Sequence, residues 1–187
     1  MSAPATDAAF PPAVHRAIAD NRSAVQAFAN RAAALSDAQW ATPRAPGKWT
    51  PAQEVRHVSL VYQAFVAELR GGPPGRIRGN AMQRMFSRWI ARPVILRMGK
   101  LPIAVRAPRV VTPPDELPLR QVVLDDLTQS LATFEAELHQ AKRDGRRVGG
   151  THPYFGWLEA REAVAFCALH TRHHFAYLPD SASRGTS

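Results

Sequence analysis

The sequence predicts an all-α fold: a four-helix bundle with one long basic insertion between core helices two and three. Three observations carry that prediction. Apolar residues recur at helical spacing in four separate stretches. The intervals between the stretches are rich in Pro, Gly and Asp, which break helices. No segment shows the β-rich alternation that would compete with a helical reading. The chain has 187 residues, 45% hydrophobic and 21% charged, which suits one globular domain with a sizeable core and excludes a disordered chain. A single domain over residues 1–187 is expected, with residues 180–187 as a disordered tail.

The first helix is predicted at about residues 12–35, where Val14, Ile18, Val25, Phe28, Ala32 and Leu35 form an amphipathic stripe. Asp37, Pro43, Pro46 and Gly47 end it. The second core helix has a clear start: Thr50 as the cap, Pro51 at the first helical position and Gln53 three residues after the cap. Val55, Val58, Tyr62, Phe65 and Leu69 give its buried face, with His57 toward the edge of that stripe. Gly71-Gly72-Pro73-Pro74-Gly75 stops it. The third core helix is predicted at about 117–141 on the stripe Leu119, Val123, Leu127, Leu131, Phe134 and Leu138. A polar loop, KRDGRRVGGTHPYFG, leads to the fourth helix, expected from about Leu158 to Leu178. Glu159 and Glu162 lie in its first turns, where the helix dipole favours acids.

Residues 76–114 stand apart. Met82, Met85, Phe86, Trp89 and Ile90 have helical spacing, Arg84 and Arg88 flank them, and Pro93 should end or kink that helix. The remainder reads as extended and proline-punctuated. Net charge is +9, and residues 69–114 hold ten basic side chains and no acidic one. This segment therefore accounts for the basic character, since residues 1–68 sum to +1 and residues 115–187 to −2. Ten positive charges beside Trp89 and Phe86 could lie on an anionic membrane surface or touch nucleic acid. The aromatics share one apolar stripe and no nucleic-acid motif is present, so solvated arginines over a packed face are the more economical account. A few of them could also steer an anionic substrate toward a site elsewhere.

No run reaches the roughly 18 apolar residues of a membrane-spanning helix. The opening MSAPATDAAFPP lacks the basic start and apolar stretch of a signal peptide. The single cysteine, Cys167, excludes an intramolecular disulfide and suits a reducing compartment. A cytoplasmic protein is expected.

Three histidines carry the chemistry. His170 and His174 stand four apart on the fourth helix, so their Cβ atoms lie roughly 5–6 Å apart on one face. Ala163, Phe166, Cys167, Tyr177 and Leu178 fall in the same sector, so that face looks inward. Two buried imidazoles side by side need hydrogen-bond partners or a shared ion to offset their desolvation. His57, from the second core helix, would complete a three-nitrogen site with open positions, as in catalytic metal sites. The alternative is a polar core cluster satisfied by Glu54, tyrosines or water. Three neutral imidazoles suit a divalent transition metal such as zinc, nickel or iron, without choosing among them.

The segment Trp49-Thr50-Pro51-Ala52-Gln53-Glu54-Val55-Arg56-His57 resembles the opening of the second helix in DinB-like proteins. His152-Pro153-Tyr154-Phe155-Gly156, followed by a helix bearing His170, His173 and His174, is similar to their final loop and helix. The resemblance covers both ends of the core, roughly half the chain. It implies a four-helix bundle, often dimeric, with a divalent metal held by one histidine of helix two and the HxxxH pair of helix four. By position these are His57, His170 and His174. The resemblance also implies a small-molecule substrate: some members are transferases that use low-molecular-weight thiols, and others are called metal-dependent hydrolases. Residues 76–114 depart from the compact family pattern.

The expected function is therefore a metal-dependent thiol transferase or hydrolase. The alternatives are a noncatalytic protein that binds an anionic partner or membrane surface through residues 76–114, and a bundle whose metal is structural. Around the triad, Glu54 could orient an imidazole or be a solvated helix-face carboxylate. His173 could serve as a proton donor or be a partly exposed histidine. Cys167 could be a ligand or nucleophile, but a small hydrophobe is the commoner role. His152 reads as a loop residue, and His15 and His139 as surface positions.

Overall fold

The computed structural model describes residues 9–75 and 107–180. In chain order the elements are α1 (Pro12–Ala33), α2 (Asp37–Ala41), α3 (Pro51–Leu69), a 3-10 turn (Arg109–Val111), α4 (Arg120–Arg143), β1 (Gly149–His152), β2 (Gly156–Glu159) and α5 (Ala160–Phe175). The chain is mostly helical. α1 packs on α5 and α4, and α3 packs on α4 and α5, so the four long helices enclose one core. Phe28, Val55, Val58, Tyr62, Leu127, Phe134, Leu138 and Val164 are all essentially inaccessible to solvent there. Among the described residues, no helix is long and apolar enough to cross a membrane. The expected helix on Met82–Ile90 and residues 181–187 of the expected tail (180–187) lie outside the described residues, while Asp180 is described and pairs with Arg31.

The start of α3 follows its sequence signal. Thr50 Oγ1 accepts from the Gln53 amide at 3.2 Å, and Gln53 Oε1 accepts from the Thr50 amide at 3.0 Å. Two of the helix's otherwise orphan donors are thereby satisfied. That reciprocal cap fixes the first turn of α3, which carries Glu54 and, one turn later, His57. α5 begins with a second capping box, between Glu159 and Glu162.

The structure corrects three boundaries. A capped one-turn helix, α2, occupies part of the break after α1: Ser36 and Gln39 repeat the capping box. Leu119 is not the first residue of a buried stripe. It is the residue before α4 and is 80% exposed. The polar loop before the fourth helix contains an antiparallel hairpin, with Gly149 opposite Glu159 and His152 opposite Gly156. Two four-residue strands are too short to show period-two alternation, and a glycine pair weakens any strand signal. Gly150 is required by packing: a Cβ there would lie 2.2 Å from the Phe65 ring of α3. Its absence lets β1 sit against α3 and bring His152 up to α5.

Candidate metal centre

Three histidines from two helices converge on one point toward the Thr50 end of α3. His57 comes from α3, and His170 and His174 come from successive turns of α5. One ring nitrogen from each lies within 4.8 Å of the others. His170 Nε2 stands 3.2 Å from His57 Nε2 and 3.1 Å from His174 Nε2. His57 is 4% exposed and His174 5%, while His170 keeps partial exposure. The sequence-predicted triad is therefore brought together.

The opposite edges of two rings are committed. His57 Nδ1 donates to the Val111 carbonyl at 2.6 Å, and a carbonyl can only accept. The proton of the neutral ring is thus on Nδ1, and Nε2 presents a lone pair. His174 Nδ1 lies 2.5 Å from Glu54 Oε2; when that carboxylate is ionised, Nδ1 donates to it and Nε2 is left in the same state. Both lone pairs aim at His170 Nε2. One proton there could satisfy one neighbour, not both, whereas a cation among the three nitrogens satisfies all. Two imidazole nitrogens bound tetrahedrally to one divalent zinc-like ion lie about 3.3 Å apart. The two spacings to His170 match that arrangement, so the donor set could hold such an ion.

Burial sets the electrostatics. Desolvation lowers His57 to about 4 and holds His170 and His174 well below the ordinary histidine value. All three are neutral near pH 7, the form a metal requires. Desolvation pushes Glu54, 3% exposed, up to about 7, while the charge of Arg44 pulls it back toward the ionised form. A cation beyond His174 would pull in the same direction. Of the two readings of Glu54, the buried imidazole partner is the observed one, and its partner is His174 on the facing helix.

Aromatic side chains wall the site. The Trp49 ring lies 4.7 Å from His57 and 6.4 Å from His174, and Phe166 stacks on His170 at 5.5 Å. His173 is half-buried and hydrogen-bonds through Nε2 to the Tyr177 hydroxyl at 2.8 Å. Cys167 is fully buried, and its thiol is pushed up by desolvation, as expected of an inert core cysteine. His15 is exposed, and His139 is partly covered by the Phe10 ring. His152 closes the hairpin turn: its Nδ1 accepts from the Tyr154 and Phe155 amides, both at 3.2 Å.

Sequence reasoning missed Val111 and gave Trp49 no role. The Val111 contact is made by a backbone carbonyl, which no residue type signals. The Trp49 contact depends on how the loop before α3 folds back, although the adjacent capping box does fix where that loop ends.

A family model described as the DinB superfamily matches residues 21–178 of the chain. The matched span contains every residue of the cluster. No curated protein and no solved structure matches.

Proposed function

The chain belongs to the DinB superfamily, and from that premise we propose that it is a metal-dependent enzyme, a thiol-dependent transferase or a hydrolase acting on a small molecule. His57, His170 and His174 hold one divalent transition metal, such as zinc, nickel or iron, and leave positions for a ligand from solution. The observation that carries this reading is the convergence of three Nε2 atoms, two of which have their protons drawn to the far side of the ring. Closed structural sites usually take four protein ligands. Here three imidazoles meet, and no Cys, Asp or Glu joins their cluster among the described residues.

A divalent ion bound at such a site lowers the pKa of a coordinated thiol or water, which makes a nucleophile available at neutral pH. The protein's part is positioning. Glu54 and the Val111 carbonyl hold two rings in the correct tautomer and orientation. Trp49 covers the site on one side and limits water. His173, tied to Tyr177, can take up or release a proton beside it. The same reading takes the chain as one cytoplasmic domain, a four-helix bundle that works as a homodimer, with 76–114 inserted between α3 and α4. The lone cysteine and the single enclosed core support it.

Elemental analysis of tag-free protein, reconstituted with zinc, nickel or ferrous ion, tests the metal. One ion per chain is expected, and uptake of none overturns the reading. Loaded protein that accelerates neither thiol transfer to an electrophile nor ester or amide hydrolysis overturns the catalytic part.

A further inference from the structure

Arg44 lies on the loop between α2 and α3, which also carries Lys48 and no acidic residue from Thr42 to Thr50. Its guanidinium sits over the Tyr177 ring, 3.9 Å from the centroid. The other surroundings of Tyr177 belong to the metal centre: its ring meets His174 edge-on at 5.8 Å and His173 at 4.7 Å. Arg44 is thus one aromatic ring away from a candidate ligand. Its charge reaches Glu54, His173 and His174, lowering the proton affinity of each.

Most arginines near this region are committed. Arg56 pairs with Asp126, and Arg172 with Asp20. Arg120 pairs with Asp37 at 2.6 Å. Arg44 makes no ion pair or hydrogen bond among the described residues. The contact with the Tyr177 ring does not use the fork of N–H donors as hydrogen-bond donors to the described residues. That fork matches a carboxylate in shape and charge. An exposed cation resting over an aromatic ring has also lost side-chain freedom before any ligand arrives.

We propose that Arg44, braced on Tyr177, is the recognition point for a carboxylate on the substrate, so that the small molecule reaching the metal centre is an acid. The proposal rests on the metal reading above and names its substrate class. One end of the substrate is the atom that meets the metal; the other is an anion that lies across Tyr177 on the Arg44 edge. The site then discriminates between an acid and its neutral analogue through Arg44 rather than through the histidines.

Cobalt-substituted protein provides the test, because a thiolate bound to cobalt gives its own absorption band. The probes are 3-mercaptopropionate and 3-mercapto-1-propanol, which share a thiol and differ in the distal group. The wild-type protein should bind the acid about tenfold more tightly than the alcohol, the difference one charge-assisted hydrogen-bonded contact provides. Arg44→Gln should abolish that preference while cobalt and the alcohol still bind, and Arg44→Lys should restore part of it. Differences intrinsic to the two thiols cancel in the ratio between variants. An equal preference in wild type and Arg44→Gln, as chelation of cobalt by the acid would give, overturns the proposal. So does the absence of any preference in wild type. A protein that binds no cobalt fails at the earlier step, which sinks the metal reading and this inference with it.

Discussion

His152 and His170 flank the same phenylalanine. The Phe166 ring lies 4.5 Å from one imidazole and 5.5 Å from the other. Desolvation lowers the proton affinity of both. Yet the two rings face opposite situations. His152 Nδ1 accepts from two backbone amides, so its lone pair is satisfied within the protein. His170 Nε2 faces the Nε2 atoms of His57 and His174, and the Val111 carbonyl and Glu54 commit those rings to pointing lone pairs at it. Burial alone therefore does not distinguish a structural histidine from a ligand. What the buried nitrogen faces does: a donor in the first case, other acceptors in the second.

Removing a ring on each side should expose that difference, and the largest effect is expected at the triad. His170→Ala deletes the nitrogen common to both short contacts. Its metal affinity should fall by more than the roughly 100-fold typical of losing a supporting residue. The metal-free protein should hardly be destabilised, because the two remaining lone pairs no longer oppose a third. Competition with a chelator measures the first effect, and thermal unfolding with and without metal measures the second. If His170→Ala destabilises the metal-free protein while stoichiometric metal binding survives, the triad is a structural cluster like His152.

A smaller effect is expected one shell out. Glu54→Ala removes the acceptor that holds the His174 proton on Nδ1, and metal affinity should drop about 10- to 100-fold. Glu54→Gln keeps an acceptor oxygen but not the charge, so it should fall between wild type and Glu54→Ala. The same chelator competition ranks the three proteins. Equal affinity in all three would mean that Glu54 does not orient His174.

How far the sequence revealed this depends on the kind of signal. Side-chain patterns local to one element were readable. The Thr50–Gln53 box placed the start of α3, and the four-residue spacing of His170 and His174 placed two nitrogens on one face. Long-range geometry was not. That Glu54 serves His174 on α5, and not His57 on its own helix, depends on how α3 and α5 are set against each other. The hairpin was hidden for another reason: Gly149 and Gly150 look like loop residues, yet Gly150 admits the Phe65 ring and Gly149 the close approach of the Leu158 carbonyl. Leu119 fitted a helical stripe in spacing, but helix α4 begins only after it. Apolar periodicity indicates which face would be buried, not where the helix starts.

The last effect is the gentlest and concerns His152 alone. Its two accepted hydrogen bonds require an unprotonated Nδ1, and burial lowers the group to about 4 from an ordinary value of 6.5. Between those values the unfolded chain binds the proton and the folded chain resists it, so stability falls as pH falls through that window. It should be fully present above pH 6.5, and the slope per group approaches on the order of 1.4 kcal/mol per pH unit. His57, His170 and His174 are shifted in the same direction and add to the slope of the metal-free protein. His152→Asn separates its own contribution from theirs. An asparagine oxygen can accept from the amide two residues on and does not titrate in this range. The variant should lose about one proton's worth of pH dependence in urea unfolding between pH 4 and 6.5, whatever constant offset the smaller side chain introduces. His152→Ala should lose the same slope and also about 1–3 kcal/mol at neutral pH, because two turn amides lose their acceptor. An unchanged slope in both variants would mean that the His152 ring does not hold the turn through an unprotonated Nδ1.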